Sequence, residues 1–164
     1  MQHLSQGVLN AWMTCPRQFQ HWYLDCLVLP ANPNQQARMA WGSRFHWLMQ
    51  QSVQFAEADR PPDRPSLTDG RSADAEELAL RGAIDRTWAQ LQGWLDRAAP
   101  ADPALSWTLD AEHRRTKLLG DRLLTVVYDL LALHPAGARI FDWKTHARPV
   151  SRDRLKQDWQ TRLY

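Results

Sequence analysis

The stretch that most constrains the fold runs from Arg122 to Leu133 and contains Leu123-Leu124-Thr125-Val126-Val127-Tyr128-Asp129-Leu130-Leu131. It is rich in β-formers and too apolar for a surface hairpin, so it reads as the central strand of a sheet covered on both faces. One acid interrupts it. A buried carboxylate costs several kcal/mol unless it is paired or bound to a cation, which marks Asp129 as a residue to explain.

Elements follow on both sides of this strand. Lys117 to Arg122, with Gly120-Asp121, is a turn, and the segment before it, Trp107 to Lys117, is a strand that sets Asp110, Glu112 and Arg114 on one face. After the turn at Pro135-Ala136-Gly137 comes a third strand, Arg139-Ile140-Phe141-Asp142-Trp143-Lys144-Thr145. Asp142 and Lys144 stand two apart and therefore share a strand face. A carboxylate there can hold a divalent metal, while the ammonium can orient or help deprotonate an attacking water, or neutralise charge building on a phosphate. An exposed ion pair at a strand end is the simpler alternative. Against it, lysine is scarce: Lys117, Lys144 and Lys156 stand beside seventeen arginines. If the second and third strands are neighbours, Asp129 and Asp142 can converge on one cation.

The N-terminal part is helical. Ser5 is an N-cap candidate, Val8, Leu9 and Trp12 share a helix face, and Pro16 suits the first turn of a second helix carrying Phe19, Trp22, Tyr23 and Cys26 at helical spacing. These aromatics read as core, with Arg17 able to reach a phosphate. Pro30 to Gln36 is a loop. From Gln36 to Phe55 the apolar stripe Trp41, Phe45, Leu48 and Met49 predicts a helix. On it Gly42 lies four residues before His46, which leaves open space beneath the imidazole. A helical histidine beside an apolar face is also an ordinary boundary residue. Residues 58–74 form a polar connection, followed by a helix from Ala75 to Ala98 with Leu78, Ile84, Trp88, Leu91 and Leu95 inward and Glu76, Glu77 and Asp85 outward. Ser151 caps a last helix with an apolar stripe, Leu155, Trp159 and Leu163, and a polar one, Lys156, Gln160 and Tyr164. The chain ends inside that pattern with no C-cap, as either a longer gene product or a frayed end would give.

At 164 residues the chain is the length of one domain, 1–164, with a helical part over 1–98 and a sheet and core over 105–164. Its net charge of +2 divides unevenly, −3 over residues 1–110 and +5 over residues 111–164, as a polyanionic substrate would favour, although many solvated surfaces look no different. Two cysteines, Cys15 and Cys26, exclude a disulfide framework and a complete thiolate metal site. With no secretory leader and no membrane-length apolar run, a cytoplasmic protein is the default.

Taken in order, these motifs resemble the PD-(D/E)XK nuclease superfamily, and within it the RecB-like branch that includes RecB and AddB nuclease domains and CRISPR-associated adaptation exonucleases. The likeness rests on Leu4-Ser5 with Cys15-Pro16-Arg17-Gln18-Phe19, on the GxxxH of Gly42 to His46, on Asp129, on Asp142-Trp143-Lys144-Thr145, and on the QxxxY of Gln160 to Tyr164. It implies an α/β, restriction-endonuclease-like core, a mixed sheet flanked by helices, with Mg²⁺ or Mn²⁺ held by His46, Asp129, Asp142 and the carbonyl of Trp143. Oxygen ligands with one imidazole suit those ions. It further implies that Lys144 positions the attacking water and that Gln160 and Tyr164 orient DNA or the lysine. Glu112 lies near where some relatives place another acid.

The implied activity is that of a DNA nuclease, an exonuclease, in repair, recombination or CRISPR adaptation, with a helicase or adaptation protein as partner. The alternative is a catalytically weak nucleic-acid-binding module of such a complex. Departures from the family pattern are Val126, where a glycine is usual, the missing strand after the last helix, and the absence of any cysteine beyond Cys26. The last leaves Cys15 alone at a cluster-ligand position, so an iron–sulfur cluster is not expected in this chain.

Overall fold

The computed structural model describes residues 3–27, 32–57, 75–98, 106–145 and 150–164. Its sheet is built on β3 (Arg122–His134), with β2 (Thr108–Leu119) antiparallel along one edge. On the other edge β3 pairs antiparallel with β4 (Gly137–Phe141) and, further toward its start, parallel with a two-residue strand, β1 (His3–Leu4). This is a mixed sheet with helices packed on it, the fold class that the apolar run Leu123–Leu131 implies.

Local chemistry sets the turns. Gly120 sits at φ 61° between the paired residues Leu119 and Arg122, and Asp121 after it keeps a negative φ. A glycine first in a two-residue loop fits the type II′ turn, whose twist matches that of the flanking strands. Across β2 and β3 the register is continuous except at one position. Ala111 pairs with Leu130 and His113 with Tyr128, but the intervening pair, Glu112 with Asp129, is missing from the ladder. There Glu112 adopts φ 55°, a left-handed conformation that a non-glycine residue rarely takes inside a strand.

Two long helices cover the sheet. They are α3 (Pro33–Glu57) and α4 (Ala75–Arg97), whose facing residues Phe45, Met49, Leu80 and Ile84 form one buried cluster. Val53 and Leu91 join Leu130 of β3 in a second cluster, against which Leu109, Ala111, Phe141 and Trp143 pack. The helix expected from Gln36 therefore starts at Pro33, a residue whose fixed φ and missing N–H suit a first turn. In α4 the inward face is Glu77, Leu80, Ile84 and Leu91, while Leu78 is 60% exposed. The expected outward position of Glu77 is thus corrected: it is buried and ion-paired to Arg44 at 2.6 Å and Arg81 at 3.2 Å, partners that make burial of the acid tolerable.

The N-terminal helices are α1 (Gln6–Thr14) and α2 (Pro16–Phe19), the latter running on as a π-helical turn over Gln20–Leu24. Ser5 and Pro16 take the capping and first-turn positions expected of them. The aromatics do not become core. Trp12, Trp22 and Tyr23 are 55%, 46% and 42% exposed, and the Phe19 ring packs between those of Trp12 and Tyr23, with ring centroids 5.2 and 5.6 Å apart. Helical spacing fixes a shared face but not what lies opposite it.

At the C-terminal end the single predicted helix is two, α5 (Arg152–Gln157) and α6 (Trp159–Leu163). Asp158 leaves the helical conformation between them (ψ 134°), and its carboxylate accepts from the Gln160 N–H as the cap of α6. The break separates Lys156, which pairs with Asp153, from Gln160 and Tyr164. The connection expected at 58–74 lies outside the described residues.

Candidate active site

Six residues singled out by the sequence come together in two adjoining groups. In the first, His46 on α3 meets Asp129 on β3, Nδ1 to Oδ1 at 3.3 Å. Glu112 on β2 completes the group, and one donor atom from each of the three lies within 4.8 Å of the others. The convergence falls at the break in the ladder, where Glu112, opposite Asp129, takes its left-handed conformation.

The electrostatics describe a site short of positive charge. The Glu112 carboxyl is held above the usual carboxylate range, first by burial and then by the negative charge of Asp129. His46 is raised above its ordinary value, chiefly through its hydrogen bond to Asp129, against the opposing pull of burial. Two repelling carboxylates and an imidazole, partly withdrawn from water, form a donor set that a divalent cation would satisfy. This set, oxygen with one nitrogen, fits Mg²⁺ or Mn²⁺.

The second group follows β4. Asp142 to Thr145 lie just past the strand's last residue, Phe141, rather than within it as the sequence pattern predicts. The Lys144 ammonium nevertheless reaches Asp142 Oδ2 at 2.6 Å. Gln160 bridges the pair: its amide nitrogen donates to Asp142 Oδ1 and its amide oxygen accepts from Lys144 Nζ. Tyr164, one turn further along α6, accepts from the same Gln160 nitrogen at 2.5 Å and donates to Asp142 Oδ1 at 3.2 Å. Burial drives the phenol's pKa well up, so the hydroxyl stays protonated.

Asp129 joins the groups. Its Oδ2 accepts the Trp143 backbone N–H at 2.5 Å while Oδ1 faces His46. The strand register carries this contact, for Leu130 pairs with Phe141 and the next residues outward are Asp129 and Asp142. The Trp143 indole packs on the other side, against both buried clusters and 6.3 Å from the Phe141 ring. Gly42 proves to serve a different neighbour from the one its spacing suggests. A Cβ there would lie 3.5 Å from Thr145 Oγ1, an ordinary contact, so the position faces the Asp142–Thr145 segment and has room for a methyl group.

Two participants were not selected as site residues from the sequence. In the sequence Glu112 is one of several alternating charges and lies near where some relatives place another acid, whereas Gln6, whose amide reaches Gln160 Oε1 at 3.2 Å, carries no signal at all. Cys15 is half-buried and accepts from the Gln18 N–H, and Cys26 is exposed.

The fold and this constellation define a class: a mixed α/β domain presenting carboxylates, a histidine and a lysine suited to metal-assisted hydrolysis. A family model described as the PD-(D/E)XK nuclease superfamily matches residues 3–164, and the chain belongs to that superfamily. No curated protein and no solved structure matches it. Membership makes it a nuclease-type hydrolase of a superfamily that typically uses divalent metals. Among the described residues, no helix is long and apolar enough to cross a membrane.

Proposed function

We propose that this chain is a metal-dependent deoxyribonuclease of the RecB-like branch, an exonuclease acting with a helicase or an adaptation complex in the cytoplasm, in repair, recombination or CRISPR adaptation. The observation that carries the reading is Asp129, which ties a His46–Glu112–Asp129 cluster to the chain at Asp142–Lys144 through the Trp143 amide. His46, Asp129, Asp142 and the Trp143 carbonyl would hold Mg²⁺ or Mn²⁺, with Glu112 added to the set. When bound there, such an ion supplies Lewis-acid polarisation of a phosphate and a lowered pKa for water. Lys144 then has two roles open to it. Held by Asp142 and Gln160, its ammonium orients the attacking water and offsets charge accumulating on the phosphate. Tyr164 and Gln160 keep Asp142 in place by hydrogen bonds that need no ionisation of their own.

A second reading, a catalytically weak binding module, is favoured by Val126. It stands three residues before the first aspartate, where the family usually has a glycine, and its added bulk would narrow the approach of DNA. Cleavage of end-labelled single- and double-stranded DNA with Mn²⁺, Mg²⁺ or EDTA decides between them, run beside Lys144→Ala. Metal-dependent cutting that disappears in the variant supports the nuclease, and the product ladder gives its polarity. Metal-dependent DNA binding without cutting supports the module. RNA cut in preference to DNA would overturn the substrate assignment.

A further inference from the structure

Gln6 opens α1, more than 150 residues away from Gln160 in sequence, yet its side-chain amide is turned onto the catalytic amide. Gln6 Nε2 donates to Gln160 Oε1 at 3.2 Å and to Asp158 Oδ1 at 3.5 Å. Both acceptors lie at the start of α6. The contact is not an accident of a loose terminus. Just before Gln6, Ser5 caps α1, and His3–Leu4 pair in parallel with Leu123–Leu124 of the central strand. Val127 of that same strand offers its carbonyl to the Tyr164 hydroxyl at 3.4 Å. The sheet thus anchors both ends of the arrangement.

The valences of Gln160 show what Gln6 contributes. Its oxygen accepts from Lys144 and Gln6, and its nitrogen donates to Asp142 and Tyr164, so every hydrogen-bonding site on the amide is engaged. A rotated amide would turn its nitrogen toward the Lys144 ammonium and the Gln6 nitrogen, and its oxygen toward a carboxylate. From this geometry we propose that Gln6 is a positioning residue for the reaction: it locks the orientation of the Gln160 amide and, through it, the spacing of Lys144 and Asp142. The role rests on the nuclease reading above. Partners that orient a site's contacting groups are commonly worth 10–100-fold in activity, and the lower end is expected for a neutral donor.

The test is a double-mutant cycle on the whole chain. Gln6→Leu, close in size but without donors, is expected to lower the rate at saturating DNA by about 10-fold while KM and the thermal midpoint stay near those of the parent. In a Gln160→Ala background the same substitution should cost nothing further, because the group it acts through is gone. An additive loss there would overturn the proposal and assign Gln6 to the Asp158 cap of α6 alone. A readout independent of catalysis is the ¹⁵N–¹H side-chain amide resonance of Gln160, identified by its loss in Gln160→Ala. Gln6→Leu should shift that resonance. An unmoved signal overturns the contact even in an active enzyme. A parent chain that cuts no DNA under any metal overturns the nuclease reading and the catalytic role with it, while the amide shift still decides whether the two glutamines are coupled.

Discussion

The Trp143 backbone N–H donates to Asp129 Oδ2 at 2.5 Å, so the carboxylate inside the central strand fixes the chain at the residue between Asp142 and Lys144. One oxygen of Asp129 is spent on that structural bond, and the other, 3.3 Å from His46 Nδ1, remains for a cation. Asp129→Asn separates the two duties. An asparagine oxygen can still accept from Trp143, so the fold should persist with a thermal midpoint close to the parent's. The lost charge should weaken Mn²⁺ binding by at least ~10-fold and cutting with it. Calorimetric Mn²⁺ titration of the variant checks this, and unchanged affinity would remove Asp129 from the metal site.

Gly42 leads to an expectation opposite to the usual one for a motif glycine. A Cβ there meets Thr145 Oγ1 at 3.5 Å, ordinary van der Waals contact, and the residue lies within α3. Gly42→Ala should therefore be tolerated in activity and raise stability by up to ~1 kcal/mol through helix propensity. Gly42→Val adds branches that the contact cannot take and should displace Thr145, with activity falling. Urea denaturation and cleavage rates of both variants test the pair. An alanine variant that is inactive yet folded would show that the space at Gly42 belongs to substrate.

These two cases show where the sequence was informative. The apolar run around Leu130 and the turn at Gly120-Asp121 follow from rules that act within a few residues, so the sheet's centre was legible. The same holds for the spacing that brings Gln160 and Tyr164 onto one face of α6. Other features depended on what lies across the fold. Glu77 looks like a solvated acid until Arg44 of another helix is placed beside it. The surface aromatics Trp12 and Trp22 look like core because periodicity reports a face and not its neighbour. Gln6 was invisible for the same reason, its partner being supplied by tertiary contact alone.

Glu77 offers a stability test remote from the site. Its carboxylate is buried, whereas the side chains of its partners Arg44 and Arg81 are 45% and 41% exposed and can return to water. Removing the acid leaves no stranded buried charge, so Glu77→Ala should cost only about 1.5–3 kcal/mol, the scale of a lost charged hydrogen bond. Glu77→Leu should recover part of this by filling the space between α3 and α4. Chemical denaturation of both distinguishes this from a loss above ~3 kcal/mol, which would mean that the ion pairs are indispensable to helix packing.

Proton binding at the site has a definite sign. His46 and Glu112 both have pKa values raised on folding, so at these two groups the metal-free folded protein holds more protons than the unfolded chain. Stability from Glu112 is therefore lost as pH rises out of the carboxylate range, and that from His46 as pH rises past its ordinary 6.5. The metal-free protein should melt at a lower temperature at pH 8 than at pH 6. Mn²⁺ competes with those protons, so its stabilising increment should be larger at pH 8. Thermal melts at both pH values, with and without Mn²⁺, test this, and a metal increment independent of pH would count against His46 and Glu112 as ligands.

Glu112 holds a left-handed conformation, φ 55°, inside β2 at the one position where the ladder with β3 is broken. A residue with a Cβ pays about 1–2 kcal/mol for that conformation, and glycine does not. Substitution by alanine and by glycine both remove the carboxylate, so the difference between them isolates the backbone. Part of glycine's advantage is returned through its greater freedom in the unfolded chain, roughly 0.5–1 kcal/mol. Glu112→Gly should nonetheless be the more stable of the two by about 0.5–1 kcal/mol. Both variants should lose Mn²⁺ affinity alike, because both take away the oxygen that stands with His46 and Asp129. That outcome would identify the strain as the cost of aiming a carboxylate at the site. If the alanine variant is instead the more stable, β2 has relaxed to regular pairing once the carboxylate is gone, and the left-handed turn is a consequence of the charge cluster rather than a property of the backbone.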